Sequence, residues 1–129
     1  MIASGLRKML AGEPTEFTPG MQRWEYLFSA DAGRAFYLIG EKGRDGAVYC
    51  VGSGQPALLR DYIQKMAELT DYRNPGIGAR PYPKGAVMNL CADIDSLYQD
   101  TGFVPEYTFE QGIRETIAWL KSQSTGDKK

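Results

Sequence analysis

The chain has 129 residues, of which 43% are hydrophobic and 24% charged, and its formal net charge is −1. A single domain of this length buries roughly two-thirds of its unfolded surface, and its scattered charge argues against a nucleic-acid partner. Apolar runs of about four residues, such as Phe36 to Ile39, fall far short of the ~20 that cross a bilayer, so no membrane partner is expected.

Met1 to Leu10 lacks the continuous apolar core of a signal peptide, and the expected location is cytoplasmic. Ile2, Leu6, Met9 and Leu10 share one helical face, with Gly12 placed to end that helix. Thr15 to Thr18 reads as a short strand before the Pro19-Gly20 turn. Trp24, Tyr26 and Phe28 alternate with Glu25 and Leu27, the pattern of a strand with one very apolar face. Ala32, Ala35, Phe36 and Ile39 form the next helical stripe, with Ser29 or Asp31 as N-cap. Gly40 to Gly46 is a charged loop.

Ala47 to Val51 lacks polar alternation and reads as a strand buried on both faces. A helix opens after Gly52-Ser53-Gly54, with Pro56 in its first turn and Leu58, Leu59, Tyr62, Ile63 and Met66 on one side. Asp71 to Lys84 is an aperiodic loop, longer than most connections. Val87 to Ala92 reads as a short strand, and Asp93 as the cap of a helix that stops at Gly102. Thr108 and Gln111 have the spacing of a capping box for a last helix whose Phe109, Ile113, Ile117 and Leu120 face inward. Residues 122 to 129 are polar and expected to fray.

The two cysteines, Cys50 and Cys91, are expected to be buried free thiols. Without a C-x-x-C pair, neither zinc nor dithiol chemistry is supported. Histidine is absent from the chain, which removes Ser-His and Cys-His nucleophile pairs and most catalytic zinc sites. Gly40, Gly43 and Gly46 have the G-x-x-G-x-x-G spacing, but they follow a helix and precede a strand. A phosphate loop needs the reverse order, so that a helix N-terminus faces the anion. Gly52 to Ala57 fits G-x-G-x-x-A in the right context, yet no second strand leads to an acidic residue beyond it. Arg80, Tyr82 and Lys84 place two cations and a phenol close together in the long loop, a combination able to grip a pyrophosphate. Asp93 and Asp95 could be imagined as a carboxylate pair, but capping explains Asp93 fully and acid–base catalysis is not expected there.

Five stretches in three regions of the chain together resemble the C-terminal portion of an extended short-chain dehydrogenase/reductase of the NAD-dependent epimerase/dehydratase family. Gln22 to Ala32 is similar to the family's R-D-[YFW]-x-x-V-x-D-x-A strand and helix start. Val48 to Gly54 is similar to V-Y-N-[IVL]-G-[ST]-G. Ala92 to Leu97, Thr101 to Pro105 and Glu110 to Ile113 resemble A-D-x-[ST]-K-x, L-G-[WF]-x-P and [LF]-x-x-G-[IL]. The resemblance implies an α/β fold that combines partial Rossmann-type sheet elements with a small α/β substrate lobe. Residues 22–70 would supply terminal strands and helices of the Rossmann sheet. Residues 2–20 and 72–120 would form the lobe that holds a nucleotide-sugar, all within one unit over 1–129.

The family's N-terminal dinucleotide loop and its catalytic Y-x-x-x-K have no counterpart in the chain. Tyr62-Ile63-Gln64-Lys65 has the wrong spacing. The resemblance therefore implies NAD or NADP for a full-length parent, no cofactor bound by this chain, and no catalysis by it alone. Nucleotide-sugar contacts are expected from Gln22, Arg23, Trp24, Arg80, Tyr82 and Lys84. Two family arginines depart from the pattern, one aligning with Trp24 and the other falling near Pro83, between Arg80 and Lys84, and Cys50 replaces the asparagine of V-Y-N. The alternative is a stand-alone ligand-binding or interaction module derived from the lobe. In either case the exposed sheet edge predicts a homo-oligomer.

Overall fold

The computed structural model describes residues 1–126. Along the chain run α1 (Ile2–Ala11), β1 (Arg23–Trp24), α2 (Ser29–Lys42), β2 (Ala57–Leu58), α3 (Leu59–Leu69), α4 (Asp95–Thr101) and α5 (Phe109–Gly126). The apolar spacing read from the sequence buries Leu6 and Met9 of α1, Leu59, Ile63 and Met66 of α3, and Ile113, Ile117 and Leu120 of α5 in one cluster. A second cluster joins Ala35 of α2, Leu97 of α4 and Phe103, with Leu27, Tyr49 and Val51 packed against it. Apolar burial of this kind contributes roughly 25 cal/mol per Å², which is what orders short helices that are marginal alone.

Helix ends follow local chemistry where that chemistry is backbone-driven. Gly12 and Gly102 adopt left-handed φ values of 70° and 71° and close α1 and α4. Ahead of α5, Gln111 Oε1 accepts from the Thr108 N–H at 2.8 Å, while Thr108 Oγ1 accepts from the Gln111 N–H at 3.2 Å. This is the reciprocal capping box that the sequence predicts. The N-terminus of α3 is instead capped by main chain: the Leu59 and Arg60 N–H groups donate to the Gln22 and Gly20 carbonyls, each at 2.9 Å.

Sheet structure is smaller than the sequence predicts. β1 pairs antiparallel with β2, Arg23 opposite Leu58 and Trp24 opposite Ala57. On its other side Arg23 bridges Asn89 in parallel, donating its N–H to Met88 O at 2.7 Å and accepting from Leu90 N–H at 2.9 Å. The expected strand over 24 to 28 thus has ladder pairing only at Trp24 and the preceding Arg23. The strands expected at 15 to 18 and 87 to 92 reduce to isolated bridges, Phe17 with Ile77 and Arg23 with Asn89. Ala47 to Val51 forms no ladder among the described residues. Its burial alternates, with Tyr49 and Val51 inward and Val48 92% exposed, so it is covered on one face and not on both.

Several smaller expectations also change. Phe28, not Ser29 or Asp31, is the N-cap of α2, and it makes no side-chain cap. Phe36 points outward, and Leu38 takes its expected place beside Ile39. Pro56 precedes β2 rather than entering a helix, because Ala57 and Leu58 pair with β1 first. Ile94 is the N-cap of α4, and Asp93 sits one residue ahead, its Oδ1 accepting from Asp95 N–H at 3.0 Å. Helix α5 runs on to Gly126, so residues 122–126 are not frayed, and 127–129 lie outside the described residues. Both cysteines are exposed rather than buried. Cys50 lies on the uncovered face of the 47–51 segment, and Cys91 lies against Glu25, 3.7 Å from Oε2.

Candidate functional site

Asp31 and Glu25 are two carboxylates that each tie distant segments together through backbone N–H donors. Asp31 is 1% exposed and accepts from the Glu106 N–H at 3.1 Å and the Tyr107 N–H at 3.0 Å. Arg34 reaches the same carboxylate at 3.1 Å, also donates to the Val104 carbonyl, and lies 4.8 Å over the Phe103 ring. Burial pushes the Asp31 pKa upward, but the two backbone donors and Arg34 outweigh it, and the net shift is downward.

Glu25 performs the matching task at the glycine turn. Its Oε2 accepts from Gly54 N–H at 2.6 Å and from the Ser53 hydroxyl at 3.1 Å, and its Oε1 accepts from Ala92 N–H at 2.8 Å. The G-x-G-x-x-A turn therefore already holds an internal anion. A dinucleotide phosphate does not fit there, since it would displace a carboxylate and meet its charge. The Cys91 thiol is pushed up by desolvation and then by the same carboxylate, the opposite of an activated nucleophile.

A groove of about 600 Å³ opens between α1, the 14–18 segment and β1, and brings together Gln22, Trp24, Phe17, Lys8, Glu16 and Arg80. Three of the six expected site residues line it. Gln22 is 5% exposed; its Nε2 lies 3.4 Å from Thr18 Oγ1, and its Oε1 has no hydrogen-bond partner among the described residues. Trp24 donates its indole N–H to Val87 O at 3.0 Å, which fixes the ring. Arg80 pairs with Glu16 at 3.2 Å.

The other three expected residues lie outside the groove lining. Arg23 turns away and donates to the Pro56 carbonyl at 3.1 Å. Tyr82 accepts from the Met21 N–H at 2.8 Å and so pins the long loop against residue 21. Lys84 is exposed, without an ion pair among the described residues. Sequence reasoning missed Phe17, Glu16 and Lys8 as wall residues. The G-E-P-T-E-F run carries no periodicity that marks a site, and Glu16 meets Arg80 only across 64 positions.

Tyr62 and Lys65 are both engaged elsewhere. The Tyr62 hydroxyl donates to the Trp24 carbonyl at 3.1 Å, and Lys65 pairs with Glu68 and Glu110 at 3.3 and 3.4 Å. Among the described residues no cluster of three or more acidic or cysteine side chains is placed to hold a metal ion, and no helix is long and apolar enough to cross a membrane.

No family model matches the chain. It is 30% identical over 135 residues to a dTDP-glucose 4,6-dehydratase of Xanthomonas campestris pv. campestris, a match that covers 97% of this chain and 38% of the relative. Its fold superposes on the UDP-glucose 4-epimerase of Thermotoga maritima, solved with UDP-glucose, with a TM-score of 0.86 and 26% identity, covering 95% of this chain and 40% of that one. MoeE5, solved with UDP-glucuronic acid and NAD, gives a TM-score of 0.82 at 27% identity, over 95% of this chain and 41% of its own. The chain thus spans about two-fifths of the length of the relatives it matches. Sequence and fold agree on one assignment: the chain is an α/β protein of the extended short-chain dehydrogenase/reductase family, corresponding to its C-terminal portion.

Proposed function

We propose that this chain is the nucleotide-sugar-binding part of an NAD(P)-dependent sugar-nucleotide epimerase, dehydratase or reductase, and that it does not catalyse hydride transfer alone. The observation that carries this reading is the groove that unites Gln22, Trp24 and Arg80, with an unsatisfied, nearly buried amide oxygen on Gln22. The solved relatives hold UDP-glucose and UDP-glucuronic acid, which supports a nucleotide as the occupant. Residues 2–20 and 72–120 would contribute the substrate lobe. Arg23, Tyr82 and Lys84 would act by shaping the walls or by approaching the outer phosphates.

The non-catalytic part of the reading is supported by the engagement of Tyr62 and Lys65 with protein groups and by the anion already held at Gly54. Isothermal titration with UDP, dTDP, GDP and CDP tests the binding. Saturable heat with at least one is expected, and a folded sample silent to all four refutes it.

A second reading, an interaction module, is favoured by one observation. The 47–51 segment presents backbone without a ladder partner and an almost fully exposed Val48. We propose that this edge pairs with a second copy of the chain, consistent with the general tendency of open edges to recruit strands.

A further inference from the structure

We infer that a cleft between α3 and the 72–77 turn binds a dianionic phosphate group, either free or carried on a monoester. The cleft measures about 470 Å³ and shares no lining residue with the Trp24 groove. Arg60, Gln64 and Glu68 recur at every fourth position of α3 and so share one face, turned away from the buried Leu59, Ile63 and Met66. Arg73 and Asn74 line the other wall.

The charges in this cleft lack counterparts. Arg34, Arg44, Arg80 and Arg114 each meet a carboxylate, whereas Arg60 and Arg73 meet none among the described residues. Arg60 is half-buried, and the acceptor its guanidinium reaches is the sulfur of Met21, at 3.7 Å. A thioether is a weak acceptor for a group with five N–H donors. The carboxylate of Glu68 lines the cleft too, but it is held by Lys65 Nζ at 3.3 Å. Two guanidiniums thus share one cleft without a neutralising partner, a repulsion that a bound anion relieves.

The turn that carries Arg73 is fixed on both sides. The Tyr72 N–H donates to Ala67 O at 2.8 Å, and its hydroxyl donates to Glu13 O at 2.7 Å. Beyond the tip, Pro75 O accepts from the Thr15 hydroxyl at 2.9 Å and Gly76 O from the Phe17 N–H at 3.0 Å. Between these anchors the side chains of Arg73 and Asn74 make no hydrogen bond among the described residues, and neither does that of Gln64. A rigid turn that presents unengaged donors lowers the ordering cost of binding. Two guanidinium forks and two amide NH₂ groups suit a tetrahedral anion with several acceptor oxygens. Two positive charges balance the nearly two negative ones of a phosphate at neutral pH.

Titration of the ¹⁵N-labelled chain with sodium phosphate, followed by amide NMR shifts against chloride at matched ionic strength, tests this. Saturable shifts centred on residues 60–64 and 73–77 are expected, with a Kd of about 1 mM or lower. Arg60→Gln and Arg73→Gln should each raise that Kd about tenfold. Arg7→Gln, outside the cleft lining, should leave it unchanged. Glycerol 2-phosphate run in parallel separates the sources: equal or tighter binding assigns a carried phosphate, weaker binding the free ion, and either supports the site. Shifts that stay linear to about 20 mM in both titrations overturn the inference. So does a folded Arg73→Gln with undiminished affinity, or an equal loss in Arg7→Gln. Because Arg73 is exposed, its variant decides the matter even where Arg60→Gln does not fold. The nucleotide reading concerns the separate groove and stands or falls on its own titrations.

Discussion

Glu25 Oε2 lies 2.6 Å from the backbone nitrogen of Gly54 and accepts its N–H. The same carboxylate ties down Ser53 and Ala92, so one side chain joins β1, the glycine turn and the segment leading into α4. Truncation orphans two half-buried N–H groups. Glu25→Ala should cost about 3 kcal/mol, whereas Glu25→Gln, which keeps an acceptor, should cost about 1 kcal/mol. Urea unfolding followed by circular dichroism measures both, and near-equal losses would mean that the hydrogen bonds do not carry the effect.

Asp31 gives the fold a defined acid sensitivity. Its pKa is lowered in the folded chain, because backbone donors and Arg34 outweigh burial. A carboxylate depressed in this way adds stability that is fully present above its unfolded pKa, about 3.9. That stability is lost as pH falls through the folded value. Stability should therefore be flat in this contribution above about pH 5 and decline below about pH 4. Asp31→Asn should lose about 2 kcal/mol at neutral pH and show a shallower acid decline. Melting the two proteins across pH 3 to 7 checks the sign.

Two glycines with nearly equal φ separate strain from clash. Gly102 has φ 71° and open space where a Cβ would stand; Gly20 also has φ 71°, but a Cβ would meet Arg60 N at 2.7 Å. Gly102→Ala should cost about 1 kcal/mol, the left-handed penalty alone. Gly20→Ala should cost about 3 kcal/mol, since it also pushes β1 from the N-terminus of α3. Equal costs in chemical denaturation would contradict the packing assigned to residue 20.

The elements legible in the sequence are those specified locally. Leu59, Ile63 and Met66 announce α3 by spacing, Gly12 and Gly102 announce helix ends, and Thr108 with Gln111 announces α5. What escaped depends on distant partners. The β1–β2 pairing involves two residues on each side, too few for a period of two to show. Ala47 to Val51 has strand-forming residues, but propensity supplies no neighbouring strand. Asp31 has the chemistry of a local cap, yet its backbone donors lie 75 and 76 positions away. In the groove, Gln22, Trp24 and Arg80 were visible through resemblance and residue type. Glu16 and Lys8 became part of it only through folding.

The open 47–51 edge predicts association. Light scattering should give a dimer or larger species, and Val48→Lys should shift it to a monomer that keeps its fold by circular dichroism, because the 92% exposed side chain supports no intrachain packing; its melting temperature should fall only by the lost association term. A wild-type monomer at high concentration contradicts the edge-pairing proposal.

The central claim concerns the Trp24 groove, and the chain carries a ready reporter. Of its two tryptophans, Trp119 is 54% exposed on α5 and lies outside the groove lining. Trp119→Phe leaves Trp24 as the sole indole. Titration of that variant with UDP and dTDP should change its emission saturably, with the midpoint that calorimetry gives, and Gln22→Leu should move that midpoint to higher concentration. Calorimetric binding with no response from Trp24 would place the ligand elsewhere and contradict the account.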